Sequence, residues 1–178
     1  MIVLVGMMAV GKSTVGRIIA DECSYEFEAL DERVMNIALF QRSPDQIIND
    51  DGEGVFRALE HRALQGWLQS SANKNRVLAP GGGVVLQESN REMRKKSGAR
   101  IVWLRAEVDT IRDRFQGDSG NPRPLLKSSE STNIHDKIHA LLVERNPLYE
   151  SFEGLEIHTD QLEPMDGART IIEAYDLG

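Results

Sequence analysis

Gly6-Met7-Met8-Ala9-Val10-Gly11-Lys12-Ser13 follows the apolar run Ile2 to Val5 and opens a stretch of helical period that starts at Lys12. It fits the pattern G-x-x-x-x-G-K-[ST], and it stands between strand and helix, where that pattern works. Gly6 and Gly11 admit backbone conformations closed to other residues, so successive N–H groups can turn toward phosphate oxygens. The helix start adds partial positive charge. The candidate phosphate contacts are therefore Gly6, Ala9, Val10, Gly11, Lys12, Ser13 and Thr14. Lys12 would reach the β- and γ-phosphates, and the Ser13 hydroxyl would join the coordination of a magnesium ion carried by the nucleotide. The motif leaves open whether the phosphate is transferred, hydrolysed or used as a switch.

Outward from this loop, short β-rich runs alternate with longer segments of helical period. Ile2 to Val5, Phe27 to Leu30, Arg76 to Ala79, Ile101 to Leu104 and Leu155 to His158 read as strands. Lys12 to Asp21, Gly54 to Gln69, Glu88 to Lys95, Glu107 to Phe115, Asn133 to Glu144 and Pro164 to Ala174 carry apolar residues three or four apart, as half-buried helices do. Such alternation predicts a parallel sheet covered on both faces, a three-layer α/β fold, because parallel neighbours need crossovers and helices supply them. Residues 31 to 63 break the rhythm with consecutive helical segments, one opening on the capping box Ser43-Pro44-Asp45-Gln46, which predicts an insertion beside the sheet. Residues 116 to 132 concentrate glycine, proline and serine, which predicts a loop or lid.

The composition narrows the class. The chain has 178 residues, 40% hydrophobic and 28% charged, with a formal charge of −7, and that size suits one domain, 1 to 178. A single cysteine, Cys23, excludes an intramolecular disulfide and points to the cytoplasm. The apolar start is too short to span a membrane and runs into the glycine loop instead of a cleavage site, so no membrane partner is expected. The acidic balance and the lack of a basic tract argue against nucleic acid. His135 and His139 stand one turn apart but lack the glutamate and third ligand of a zinc helix.

Outside the loop, arginines carry the information. Arg57 stands three residues before Glu60 in Gly52-Glu53-Gly54-Val55-Phe56-Arg57-Ala58-Leu59-Glu60, a helical spacing at which the carboxylate would orient the guanidinium. Arg145 ends another helix in Glu144-Arg145-Asn146-Pro147-Leu148-Tyr149, and Arg123 lies in the glycine-proline loop. Beside a phosphate site on an acidic protein, such planar forks suit an anionic small molecule. Gly81, Gly82 and Gly83 follow the strand at 76 to 79, where residues without a side chain let a ligand lie against backbone N–H groups.

These segments resemble the shikimate kinase family in order over nearly the whole chain. The marks are residues 6 to 17, Gly-Glu-x-x-Phe-Arg-x-x-Glu at 52 to 60, Ala-Pro-Gly-Gly-Gly at 79 to 83, Arg-Pro-Leu-Leu at 123 to 126 and Glu-Arg-Asn-Pro-Leu-Tyr at 144 to 149. The resemblance implies a five-stranded P-loop kinase fold and transfer of the γ-phosphoryl of MgATP to the 3-hydroxyl of shikimate, with a monomer expected. It implies that Arg57 and Arg145 grip the acceptor's carboxylate. Asp31 would bind ring hydroxyls and take the proton of the attacking one, and Gly82 would add a backbone contact. Arg123 would close over the transferring phosphate, and Pro164 would flank the base.

Two positions depart from the family pattern. Ala29 stands where the first carboxylate of Asp-x-Asp, which supports magnesium through water, is usual, while Glu28 and Glu32 nearby are expected to point elsewhere. Gln116, seven residues before Arg123, stands where an arginine packs on adenine, losing a cation–π contribution of roughly 0.5–2 kcal/mol. The competing readings are a gluconate or nucleoside monophosphate kinase on the same fold, and a non-catalytic relative that kept the pocket.

Overall fold

Five strands form one all-parallel sheet in the order β2-β3-β1-β4-β5: β1 (Ile2–Val5), β2 (Glu26–Ala29), β3 (Arg76–Ala79), β4 (Arg100–Arg105) and β5 (Leu155–His158). The computed structural model describes residues 1–38, 41–70, 75–117 and 133–177, apart from the side chains of residues 94 and 95. Among the described residues, eight α-helices connect and cover the strands: α1 (Lys12–Cys23), α2 (Leu30–Ile37), α3 (Pro44–Asp51), α4 (Glu53–Gln69), α5 (Glu88–Ser97), α6 (Val108–Gly117), α7 (Ile134–Glu150) and α8 (Pro164–Ala174). A short 3-10 turn, Val84–Leu86, follows the triple glycine.

The strand period of two sorts the apolar residues into two cores. Val3, Val5, Leu78, Ile101 and Trp103 face a core shared with α2 and α4, where Trp67 is fully buried. Ile2, Leu4, Val77, Val102 and Leu104 face the opposite core, shared with α1, α7 and α8. Every residue of β1 is buried, as expected of a central parallel strand covered on both sides. Strand β1 pairs with β3 on one side and β4 on the other, so the crossovers leave it in opposite directions. The carboxyl end of β1 is the topological switch point, where ligands of open α/β sheets bind.

Where the sequence reading expects an insertion, α2, α3 and α4 follow one another with no strand between them among the described residues. The Ser43 box is complete: its hydroxyl accepts from the Gln46 N–H, and the Gln46 side chain accepts from the Ser43 N–H. Three boundaries near the cleft differ from the sequence reading in ways that matter to it, beyond shifts of one or two residues elsewhere. Leu30 opens α2 instead of closing β2, because it is fully buried under the insertion. Helix α6 runs to Gly117, so Gln116 belongs to a helix and not to a loop. Arg145 does not end its helix. Helix α7 continues through Pro147 to Glu150, and the carbonyl that Pro147 leaves without its N–H partner belongs to Val143, a highly exposed residue. Along α7, Ile138 and Leu142 pack in one core and Tyr149 in the other, with Arg145 between them at the crossing.

Candidate active site

A cleft of about 1110 Å³ opens at the carboxyl ends of the strands, and its wall holds the glycine loop, Asp31, Arg57, the triple glycine, Arg145 and Pro164. Its phosphate half is made of backbone. Gly6 has a φ of +142°, and a methyl group there would lie 2.2 Å from the Leu104 carbonyl oxygen, so the loop can cross β4 only as glycine. Gly11 and Ala9 take φ values of +95° and +60°; Ala9 is a rare non-glycine in the left-handed region and lines the cleft. Helix α1 begins with no side-chain cap and no acidic residue in its first turn, which leaves its N–H groups for an anion. Lys12 is 9% exposed, and its Nζ donates to the carbonyls of Gly6 (2.9 Å) and Met7 (2.7 Å). Ser13 and Thr14 are exposed beside it, and Val10 is buried.

The far end of this half differs from the expectation. Gln116 is exposed and outside the cleft wall; Arg114, one half-turn earlier, lines it. Arg114 Nη1 donates to Thr159 Oγ1 at 3.0 Å, and its Nη2 to the Thr159 carbonyl, which anchors the guanidinium at the end of β5. Pro164, the first residue of α8, lines the same end. In sequence Arg114 is an ordinary last-turn cation, displaced by two positions from the site where the resemblance looks for it.

The acceptor half is made of charged side chains from separate elements. Glu60 is fully buried and Arg145 is 3% exposed. Arg57 Nη1 donates to Glu60 Oε2 at 2.8 Å, as the helical spacing requires, while its Nε and Nη2 donate to Glu53 Oε1 at 3.2 and 2.9 Å. Burial works against the Arg57 charge, but the two carboxylates outweigh it and raise its pKa. Desolvation pushes the Glu60 carboxyl up to about 7, with the nearby Asp31 adding to the rise while Arg57 and Arg145 oppose it. Burial also raises the Tyr149 hydroxyl, which therefore stays protonated and donates to the Gly82 carbonyl at 2.5 Å. Tyr149 follows Arg145 by one turn on the same face, the one signal that could have singled it out.

The triple glycine is the spacer between the halves. A methyl group on Gly82 would lie 3.2 Å from the Met8 amide nitrogen; on Gly83, 2.3 Å from Arg57 Nη2; on Gly81, 3.3 Å from Glu60 Oε1 and 3.5 Å from Asp31 Oδ1. The loop thus lets the phosphate cradle, the arginine and both carboxylates close onto one backbone segment. Arg123 and residues 118 to 132, where the sequence reading expects a loop or lid, lie outside the described residues.

Around Ala29 the structure corrects one expectation. Glu28 turns away and pairs with Arg33 at 3.1 Å, as expected. Glu32 instead lines the cleft, because the first turn of α2 faces it, and its Oε1 lies 3.7 Å from Arg17 Nη2. Among the described residues no three His, Cys, Asp or Glu side chains group to hold a metal, and no helix is long and apolar enough to cross a membrane.

Comparison with known proteins agrees with this geometry. The family model for shikimate kinase matches residues 8–176. A shikimate kinase of Symbiobacterium thermophilum is 34% identical over 97% of this chain and 94% of its own length. The shikimate kinase from Acinetobacter baumannii in complex with shikimate superimposes with a TM-score of 0.85 at 33% identity, covering 98% of this chain and 91% of that one. That from Bacteroides thetaiotaomicron gives 0.86 at 26% identity, over 99% and 98%. Ordered glycine loop, paired arginines and near-complete coverage together place the chain in the shikimate kinase family, ATP-dependent kinases on a P-loop fold.

Proposed function

We propose that the chain transfers the γ-phosphoryl group of ATP to the 3-hydroxyl of shikimate, giving shikimate 3-phosphate and ADP. The observation that carries the reading is the entry of Arg57 and Arg145 into the same cleft as the uncapped start of α1. A carboxylate on the two guanidiniums brings the acceptor beside the phosphate cradle, and such transfers depend on positioning and charge neutralisation more than on covalent participation. Arg57 and Arg145 hold the acceptor's carboxylate. Asp31, against Gly81, orients its hydroxyl and accepts the proton, and Gly81 to Gly83 present backbone. Gly6, Ala9, Val10, Gly11 and Thr14 cradle the phosphates. Lys12 exchanges its two carbonyl partners for phosphoryl oxygens, and Arg123 adds charge from the lid. Arg114 and Pro164 flank the base, the place assigned to Gln116 from sequence alone.

The donor set suits magnesium that arrives with its nucleotide. Magnesium keeps several waters and asks for one or two protein oxygens, and the exposed Ser13 hydroxyl at the helix start supplies one. Bound there, the ion neutralises phosphate charge. With a single cysteine in the chain, the reading extends to a protein working in the cytoplasm, and we take it to act as a monomer.

A coupled assay of ADP release tests the reaction. Shikimate should stimulate release, while gluconate and nucleoside monophosphates should not; stimulation by those acceptors instead would overturn the acceptor. Arg57→Ala should raise the KM for shikimate by about 10- to 150-fold, since a charged hydrogen bond is worth roughly 1.5–3 kcal/mol. Asp31→Asn should mainly lower kcat, by about 10²–10⁴-fold. Steady-state constants that stay at wild-type values in both variants would defeat the assignment.

A further inference from the structure

Glu60 is an acid without access to solvent in a cleft that must accept an anion. One oxygen is engaged by Arg57; Oε1, against Gly81, is buried with no hydrogen-bond partner. The charged and titratable groups around it come from three elements. Arg57 stands on α4, with Glu53 on that guanidinium's far edge; Asp31 stands on α2, and Arg145 and Tyr149 on α7. With Glu60 and Asp31 both ionised, the two arginines are already balanced, and the inner cluster offers a carboxylate no net attraction. With Glu60 neutral, the same four groups carry one positive charge, the complement of a monocarboxylate.

We infer that Glu60 takes up one proton as the acceptor's carboxylate seats on Arg57 and Arg145, so that acceptor and proton bind together. The inference rests on the acceptor assignment above. Physically, the incoming charge cancels the pull of the arginines, the influence that had kept Glu60 ionisable. The proton comes from solvent and goes to the carboxyl, whose O–H then gives the unpartnered side a donor facing Asp31 and the acceptor's hydroxyls. A group that titrates at about 7 when free and higher when the acceptor is bound favours the complex fully below the free value. Affinity is lost as pH rises through that value, by about tenfold between pH 6 and pH 8.

Calorimetric titration of the full chain with shikimate, in phosphate and in Tris, measures the protons taken up. About half a proton at pH 7, and close to one at pH 8, is expected. No binding at any pH would overturn the acceptor itself. Binding with no net proton uptake would leave the acceptor standing and overturn the role of Glu60. In Glu60→Gln, with the fold checked by circular dichroism, uptake should vanish and the pH dependence of the Kd should flatten; uptake that persists assigns the proton elsewhere and overturns the inference. Should that variant fail to fold, wild-type chain labelled with ¹³C at the glutamate carboxyls decides. One buried resonance should titrate near 7 and move to its protonated position on adding shikimate at pH 7.5, and its absence overturns the proposal.

Discussion

The two halves of the cleft are built by opposite means. The phosphate cradle is one contiguous segment that presents main-chain N–H groups, with Lys12 buried and held by loop carbonyls. The acceptor half draws Asp31, Arg57, Glu60 and Arg145 from three helices that are not consecutive in the chain, with Tyr149 behind Arg145. A phosphate common to many nucleotides can be held by geometry any strand-loop-helix supplies. One particular acid is recognised by side-chain charges, which need partners to be buried at all. The general half is therefore local and the specific half is distributed.

The sharpest way to break this division is Lys12→Met, which keeps length and apolar bulk but removes the charge. The loss should fall on the transition state, lowering kcat by about 10²–10³-fold, the cost typical of deleting one preorganised donor. Shikimate affinity measured by calorimetry should stay at the wild-type value. A parallel loss of acceptor binding would mean that the halves are not separable.

A middle-sized effect tests the spacer. Gly83→Ala would put a methyl group 2.3 to 2.5 Å from three atoms of the Arg57 guanidinium, which must then leave its seat between Glu60 and the loop. The KM for shikimate should rise about tenfold, corresponding to roughly 1.4 kcal/mol, with the KM for ATP unchanged. If ATP were affected equally, Gly83 would belong to both halves.

This division also explains what could be read in advance. The glycine loop, the alternation into a parallel sheet and the Arg57–Glu60 pairing all depend on spacings within one element, and each is present. Arg114 and Glu32 escaped because their roles depend on which turn of a helix faces the cleft, and that is set by packing against β5 and the insertion. Nothing local marks Glu60 as fully buried, and only its one-turn spacing from Arg145 hints at Tyr149, without naming Gly82 as its acceptor. Both follow from the crossing of α7 between the two cores. The extension of α7 past Pro147 was hidden as well, since a proline in a sequence reads as a helix end and the residue it deprives of a partner, Val143, is highly exposed only in the folded chain.

The smallest expected effect lies on the border between the halves. Ala29 ends β2 in register with Ala79 of β3 and lines the cleft beside Asp31, so a longer side chain there would enter the space next to the phosphates. Ala29→Asp supplies a carboxylate in a position to hold water on a magnesium ion, where Asp31 is committed to the acceptor and Glu32 is drawn toward Arg17. The magnesium concentration giving half-maximal rate should fall about threefold, a modest gain because the contact runs through water and stays partly exposed. Added charge beside Asp31 carries a cost to the acceptor, since it also faces the arginines, so shikimate affinity should weaken slightly in the same variant. A magnesium titration identical to wild type would mean that Ser13 and the phosphates already satisfy the ion. The alanine would then be neutral for metal binding, and the border between the halves would lie at Asp31 itself.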